Sequence, residues 1–459
     1  MMGEAYAMQQ MTFIKTVLLL GSLALSSCAV RGHEDYPALI EQDLAQRQSW
    51  SQLDGGEQTA VLGDLIQSEQ IAPLVKEALD ANPGLRRTLL TLSVRQAEYR
   101  QVSGKSLPTI DAGISANRQQ DTDSVQTGSI SVSWEVDLWG KVANSIQAAQ
   151  KDMAQQEALY QAARDTLAAE VMKTWLGLIA AQKNITIEAK RLAVLESNEA
   201  FILQRYKSGL GSLEDLDSAR GETSTSRANL AQYSEILAQN QRIIQKLLGR
   251  ADNFHLDIPD EYAAVILPLT GLPEQTLRRR PDLKAAYLAI EAASLRTSIA
   301  YKDLLPSINL QAALSDVASS PASALMNNPV WSLLGQLSAP LFQGGQLMTQ
   351  TKVAELKTAQ SYHAYRETLL EAVQDVEDAI GLERSLTERA THIQSALTLA
   401  QNNLHHYESS YRAGLVNILD LLNVQEQNFD LEIQLNNLIH EFLTSRIDLG
   451  LALGLGVQR

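Results

Sequence analysis

The sequence predicts a mainly α-helical protein that contributes four β-strands to a membrane barrel. Three observations carry that prediction. The chain is written nearly twice: Tyr206, Gly209, Leu210, Asp215 and Leu216 recur, in the same spacing, as Tyr411, Gly414, Leu415, Asp420 and Leu421, an offset of 205. Two stretches, Lys141 to Ser208 and Gln346 to Ala413, hold no proline and one glycine each, Gly177 and Gly381. Such runs can be single helices of roughly 100 Å at about 1.5 Å per residue. Each run follows two candidate strands of about 10 residues, the length of a tilted membrane-spanning strand.

The repeat extends further. Leu107-Pro108-Thr109-Ile110-Asp111 returns as Leu305-Pro306-Ser307-Ile308-Asn309, and Asn82-Pro83-Gly84-Leu85 as Arg280-Pro281-Asp282-Leu283, both at an offset of 198. Gly177 is echoed by Gly381. One structural unit is therefore built twice, and functional elements should come in pairs.

Segment 1–27 reads as a signal peptide. Val17 to Leu25 is an apolar run after Lys15, too short to span a bilayer, and ends in Leu25-Ser26-Ser27-Cys28. The last four residues have the form of a bacterial lipobox, which makes Cys28 the lipid-attachment residue; Ala29 suits outer-membrane sorting. Glu4 and the lack of basic residues before Met11 make Met8 or Met11 an alternative start. Segment 28–105 follows as a lipid-anchored stretch and first helices.

Segment 106–139 is the first β-hairpin. Ile110, Ala112, Ile114 and Ala116 alternate, as do Ile130, Val132, Trp134, Val136 and Leu138, with Gln119 to Ser124 as the connecting tip. Segment 140–250 is a long helical hairpin. Val171, Trp175, Leu178, Ile185, Ala189 and Leu192 follow a four-three spacing, with Gln182 at the missing step, which predicts a coiled-coil seam. Segment 251–304 holds an equatorial stretch and a helix opened by Pro281 and Asp282; Arg278 to Arg280 read as structural more than anion-binding. Segment 305–342 is the second hairpin, Pro306 to Ser315 and Val330 to Phe342, with Asp316 to Asn328 between them. Segment 343–459 repeats the helical hairpin and ends in another equatorial stretch. Trp134, Trp139, Trp331 and Phe342 suit an interfacial girdle.

Four strands cannot close a barrel, and eight leave no bore. Three copies give twelve strands, so the fold class is a long α-helical coiled-coil barrel plus four strands per chain, closing as a 12-stranded barrel in a homotrimer. After the signal, no stretch is long and apolar enough for a transmembrane helix, so a closed barrel is the way across. The net charge of −15 excludes nucleic acid as a partner. The single cysteine excludes an intramolecular disulfide. The seven histidines lack ligand spacing, so no metal site is expected, and no catalytic set or cofactor motif is present.

Taken in order, the landmarks resemble the outer-membrane factor family, the TolC-like exit ducts of Gram-negative bacteria, and the lipobox points to its lipoprotein branch of OprM-, CusC- and NodT-like efflux ducts. The residues that carry the resemblance are Ser133-Trp134-Glu135-Val136-Asp137-Leu138-Trp139-Gly140-Lys141, Ala339-Pro340-Leu341-Phe342-Gln343-Gly344-Gly345, Leu277 to Leu283, Leu247 to Arg250 and Leu451 to Gly454. The resemblance implies a barrel in the outer membrane and a helical tube in the periplasm. It also implies a periplasmic adaptor and an inner-membrane pump of RND, MFS or ABC type.

The repeated glycines fit helix-turn-helix tips, since Gly209 and Gly414 can take the left-handed conformation at a helix end. Ser212 and Asn417 can cap the helices that follow. The resemblance makes Ser208, Gly209, Leu210, Gly211, Ala413, Gly414, Leu415 and Val416 the adaptor-docking tips. It places Asp420 in an acidic ring at the periplasmic gate, with Val416 one turn earlier and Asn423, where relatives carry charge, one turn later. Tyr411 and Asp215 join the gate's hydrogen-bond network; Asp215 also reads as a solvated helix-start carboxylate. The expected function is a passive efflux duct for drugs or metal ions, without catalysis. The alternatives are the duct of a type I protein secretion system and a coiled-coil scaffold without a pore.

Overall fold

The computed structural model describes residues 35–46, 49–51, 57, 61–118, 120, 124–252, 256–271, 273–318 and 328–457. The signal segment, Cys28 and most of both strand-to-strand linkers lie outside the described residues. The chain divides into two units, residues 1–46 and 47–459. In the first, α1 (Tyr36–Ala45) opens on Asp35, whose carboxylate accepts a bond from the Ala38 backbone N–H at 3.2 Å.

The second unit begins with a 3-10 turn (Leu62–Leu65), then α2 (Ile71–Ala81) and α3 (Pro83–Gly104). Asn82 separates the two helices because Pro83 cannot donate to a continuing helix; the Asn82 side chain caps α3 through Leu85 N at 3.0 Å. Strands β1 (Thr109–Asn117) and β2 (Val125–Val136) lead to α4 (Lys141–Lys207) and α5 (Leu213–Leu247). The second copy follows: α6 (Pro273–Arg279), α7 (Pro281–Lys302), β3 (Ser307–Ala318), β4 (Val330–Ser338), α8 (Gln346–Arg412) and α9 (Ile418–Ala452). Among the described residues no helix is long and apolar enough to cross a membrane.

The four strands form one antiparallel sheet in chain order. Its register sorts the side chains into two faces. Ile110, Val132, Ala312 and Leu333 stand in one row, and Ile130, Leu314 and Trp331 share that face. Asp111, Ser131, Gln311 and Gln336 stand on the other. Strands β1 and β4 each keep an outer edge with no partner strand among the described residues.

The strand limits differ from expectation in three places. Strand β2 starts at Val125 and ends at Val136, so Leu138 and Trp139 sit in a turn. The reason is Asp137, whose carboxylate caps α4 through Val142 N at 3.0 Å and Ala143 N at 2.8 Å and so ends the strand. Asp316 belongs to β3, not to the linker; it is buried and accepts from Asn328 N at 3.0 Å. Strand β4 stops at Ser338, before Pro340, which has no N–H to offer a neighbour, so Phe342 lies past the strand. Trp139 still holds the copies together, donating its indole N–H to Pro306 O at 2.6 Å.

Two features of the long helices also correct the reading. Each spans 67 residues, so the first long helix maps onto the second at an offset of 205 from end to end. Gly381 therefore matches Leu176 and not Gly177. Second, the seam of α4 holds at Val171, Trp175 and Leu178 but then turns. Between Gln182 and Leu192 the buried positions are Asn184, Glu188 and Arg191, whereas Ala189 is exposed. The side chains there are polar and bond across the seam, so burial follows partners and not apolarity.

The main core gathers on the apolar part of α4. Trp175, Met172 and Leu176 pack against Leu62 and Leu65, against Ile71 and Leu74 of α2, and against Ile447 of α9. Residues 256–271 and the segment ending at Val457 are tied to it through Ile266 N to Leu65 O at 2.8 Å and Leu62 N to Gly456 O at 3.0 Å. Arg280 is structural, as expected: buried, it bonds Asp282, Asp375 (2.9 Å) and Ala452 O (3.2 Å).

Candidate functional site: paired helix tips and a polar seam

The two tips are built alike from the backbone up. Helix α4 ends when Gly209 takes φ +71°, with Gly209 N bonding Tyr206 O at 3.0 Å and Leu210 N bonding Arg205 O at 2.9 Å. Gly414, at φ +73°, ends α8 the same way, through Tyr411 O and Ser410 O, both at 2.9 Å. These paired bonds satisfy the last carbonyls of each helix and require the left-handed conformation that glycine adopts without strain. A side-chain carbon at either glycine would meet open space.

The next helices start on capping boxes. Asp215 N bonds Ser212 Oγ at 3.0 Å while the Asp215 carboxylate accepts from Ser212 N at 3.3 Å. Asp420 N bonds Asn417 Oδ1 at 2.9 Å and its carboxylate accepts from Asn417 N at 3.4 Å. Both aspartates thus hold their own helix N-termini, where the dipole also favours a negative charge. Asp420 and Asn423 are exposed, and Asp215 and Val416 are half-buried. Ser208, Ala413, Leu210 and Leu415 are exposed, and Gly211 is half-buried.

An apolar cluster joins the tips. Ile202 of α4, Leu216 and Ala219 of α5 and Ile418, Leu421 and Leu422 of α9 are buried together. Tyr411 packs on this cluster and meets the Phe201 ring edge-on, 6.4 Å between centroids. Within the chain its visible contact is aromatic.

Between these tips and the Trp175 core, helices α4, α5 and α9 meet along polar residues that sequence reasoning missed. Glu188 is fully buried and accepts from Ser226 Oγ of α5 at 2.6 Å. Arg191, also buried, lies 3.5 Å from Glu188, donates to Glu426 O at 3.2 Å and pairs with Asp430 of α9. One turn up, Asn184 donates to Asn437 Oδ1 at 2.9 Å and accepts from Asn436 at 2.8 Å. Above them the His440 Nε2 is buried without a hydrogen-bond partner among the described residues, facing the bare backbone of Gly177. The four-three spacing of Asn184, Glu188, Arg191 and Leu195 was the available signal, hidden because those positions are mostly polar.

Beside Arg191 opens a cavity of about 280 Å³, lined in part by Glu222, Ser226, Glu426 and Phe429. Burial raises the Glu222 pKa, and the like charge of Glu426 adds to it. A seam of this kind can part at low cost. Each neutral polar contact exchanged for water loses about 0.5–1.5 kcal/mol and each charged one about 1.5–3, whereas exposing apolar area costs about 25 cal/mol per Å². No group of three or more His, Cys, Asp or Glu among the described residues is placed to hold a metal ion.

A sheet with one apolar and one polar face, continued by paired helices of 67 residues, defines a subunit of a membrane-spanning duct. The chain belongs to the outer membrane efflux protein family, whose model matches residues 74–250 and 272–455. It is 26% identical over 449 residues to the cation efflux system protein CusC of Escherichia coli K12, covering 95% of this chain and 98% of that one. It is also 26% identical over 460 residues to the outer membrane protein OprJ of Pseudomonas aeruginosa, covering 95% of each. Its fold matches the open-state outer membrane channel MtrE of Neisseria gonorrhoeae with a TM-score of 0.81 at 22% identity, over 90% of this chain and 95% of that one.

Proposed function

We propose that three copies of this chain form the outer-membrane exit duct of a tripartite efflux system. The two-faced sheet carries the reading. Its apolar face suits lipid and its polar face suits a water-filled bore, while the open edges of β1 and β4 call for neighbours. Twelve strands from three copies satisfy those edges and leave a channel. The duct is passive and works without catalysis; an inner-membrane pump supplies the energy. The exposed Leu210 and Leu415, held out by the two glycine turns, offer a periplasmic adaptor a pair of alike, apolar docking tips.

The gate lies at the same end. Asp420, repeated by symmetry, sets three carboxylates around the entrance, which favours cations. Toxic metal ions or drugs are the cargo classes, and a relative named for cation efflux supports the first. Cys28 carries lipid that adds an anchor in the outer membrane, where one acyl chain alone binds only marginally. Planar-bilayer recording of the purified protein, with its mass in detergent, tests the reading. A trimer with stepwise conductance is expected; a monomer that leaves the bilayer silent would refute it.

A further inference from the structure

We infer that in the assembled duct α8 of each copy packs against α3 of the next, with Lys357 facing Glu98 of the neighbouring copy. The inference rests on the trimeric reading above and assigns its seam.

The internal repeat supplies the geometry. Within one chain, α4 of the first copy of the repeat packs against α7 of the second. Two ion pairs cross that contact: Asp152 with Arg296, and Lys151 with Glu291 at 2.9 Å. Shifting α4 onto α8 and α7 onto α3 carries Asp152 to Lys357 and Arg296 to Glu98. The pair survives with its charges exchanged. The other pair becomes Leu356 and Ser93, with Val94 beside them.

Within a chain α3 does not pack on α8. The equivalent positions show it. Leu288 and Ala292 of α7, which packs on both α4 and α8, are 8% and 0% exposed, whereas their counterparts Leu90 and Val94 on α3 are both 54% exposed. Ala148 of α4 is 4% exposed and its counterpart Val353 on α8 is 44% exposed. Leu85 and Leu283, which face their own copy, are buried in both. The face left open is thus the one that the repeat covers elsewhere, and it stays apolar. Lys357 is exposed and has no ion pair among the described residues, and Glu98 has only an exposed bond to Arg95 at 2.7 Å.

The exchange of charges also selects the right neighbour. Were α3 to take the place of α7, Glu98 would face Asp152; were α8 to take the place of α4, Lys357 would face Arg296. Each wrong pairing sets like charges together, so the seam inside a chain and the seam between chains cannot substitute for one another.

A Glu98→Cys, Lys357→Cys double variant tests this. Mild oxidation of outer membranes should give covalent dimers and trimers on a non-reducing gel. Each single variant should stay uncoupled, and two differently tagged single variants made together should yield a mixed dimer. In parallel, Glu98→Lys and Lys357→Glu should each lower the temperature at which trimers fall apart in detergent, and the combined exchange should restore it. If the wild type conducts as a trimer but the double cysteine variant remains monomeric on the gel, the pairing is wrong and the duct reading stands. If the wild type is itself a monomer by mass, both fall.

Discussion

Arg191 of α4 reaches across a helix seam to Asp430 of α9 while its own helix holds Glu188 beneath it, fully buried. The pair joins the two copies of the repeat midway between tips and core. At the equivalent seam of the other copy the offset places Ala396 and Thr225, which cannot form an ion pair. Only half of the seams in a closed ring would therefore be latched. In the proposed trimer this difference leaves one such arginine latch per chain.

Replacing Asp430 with Asn should loosen this latch without unfolding the helices, because Asp430 is largely exposed and such a pair contributes at most about 1 kcal/mol. A change of that size shifts a closed–open ratio by about fivefold, so the open fraction in bilayer recordings should rise accordingly. Arg191→Met should behave differently. It leaves the Glu188 carboxylate buried with Ser226 alone, a loss of about 3–5 kcal/mol that should appear as trimers melting at lower temperature. Equal open fractions in wild type and Asp430→Asn would remove the latch from the gate.

Gly209→Val with Gly414→Val should cripple the tips while sparing the trimer. Positive φ costs a side chain roughly 1–2 kcal/mol at each site. Neither glycine has a close neighbour, so the strain stays local. Adaptor binding should weaken about tenfold or more, equivalent to about 1.4 kcal/mol, and resistance should fall at normal expression. Unchanged resistance in the double variant would argue against docking here.

The sequence made the tips, the strand pairs and the long helices legible because each is written in local chemistry: a glycine at a helix end, a period of two, a run free of proline. The seam at Asn184, Glu188 and Arg191 was illegible for the opposite reason. Its partners Asn436, Asn437, Asp430 and Ser226 lie far away in the chain, and a polar residue looks solvated until its partner is known. The capping role of Asp420 was readable from Asn417 three residues before it. The contact of Tyr411 with Phe201 was likewise illegible, because its ring meets a partner from another helix 210 residues away in the chain.

His440 should make the helix bundle sensitive to acid. Burial holds its pKa below the ordinary imidazole value, with Glu441 opposing. The unfolded chain then takes up the proton first, so stability is lost as pH falls through the unfolded value of about 6.5 and on toward the lowered folded one. Burial raises the Asp165 and Glu222 carboxyls and works the other way, since acid relieves their buried charge. A comparison with His440→Gln isolates the imidazole. The melting temperature of the wild type should drop more steeply than that of His440→Gln between about pH 7 and 5; parallel curves would show that His440 does not titrate in this way.

Asp420→Asn should change ion preference without dissolving the tip. Asn keeps an oxygen to accept from the Asn417 N–H, so the cap on α9 survives at a cost of about 1 kcal/mol or less. What is lost is one negative charge per chain, and hence three around the entrance of a trimer. Three carboxylates at one constriction hold a multivalent cation more tightly than any one can, so periplasmic-side block by a trivalent cation should weaken, and the reversal potential in a salt gradient should move toward zero. Asp215→Asn removes the same charge from the same capping geometry in the first copy of the repeat. It should act less, because the two copies need not project equally into the bore. Block and reversal potential unchanged in Asp420→Asn would move the acidic ring to other residues, and leave Asp420 as the helix cap that its bonds to Asn417 already make it.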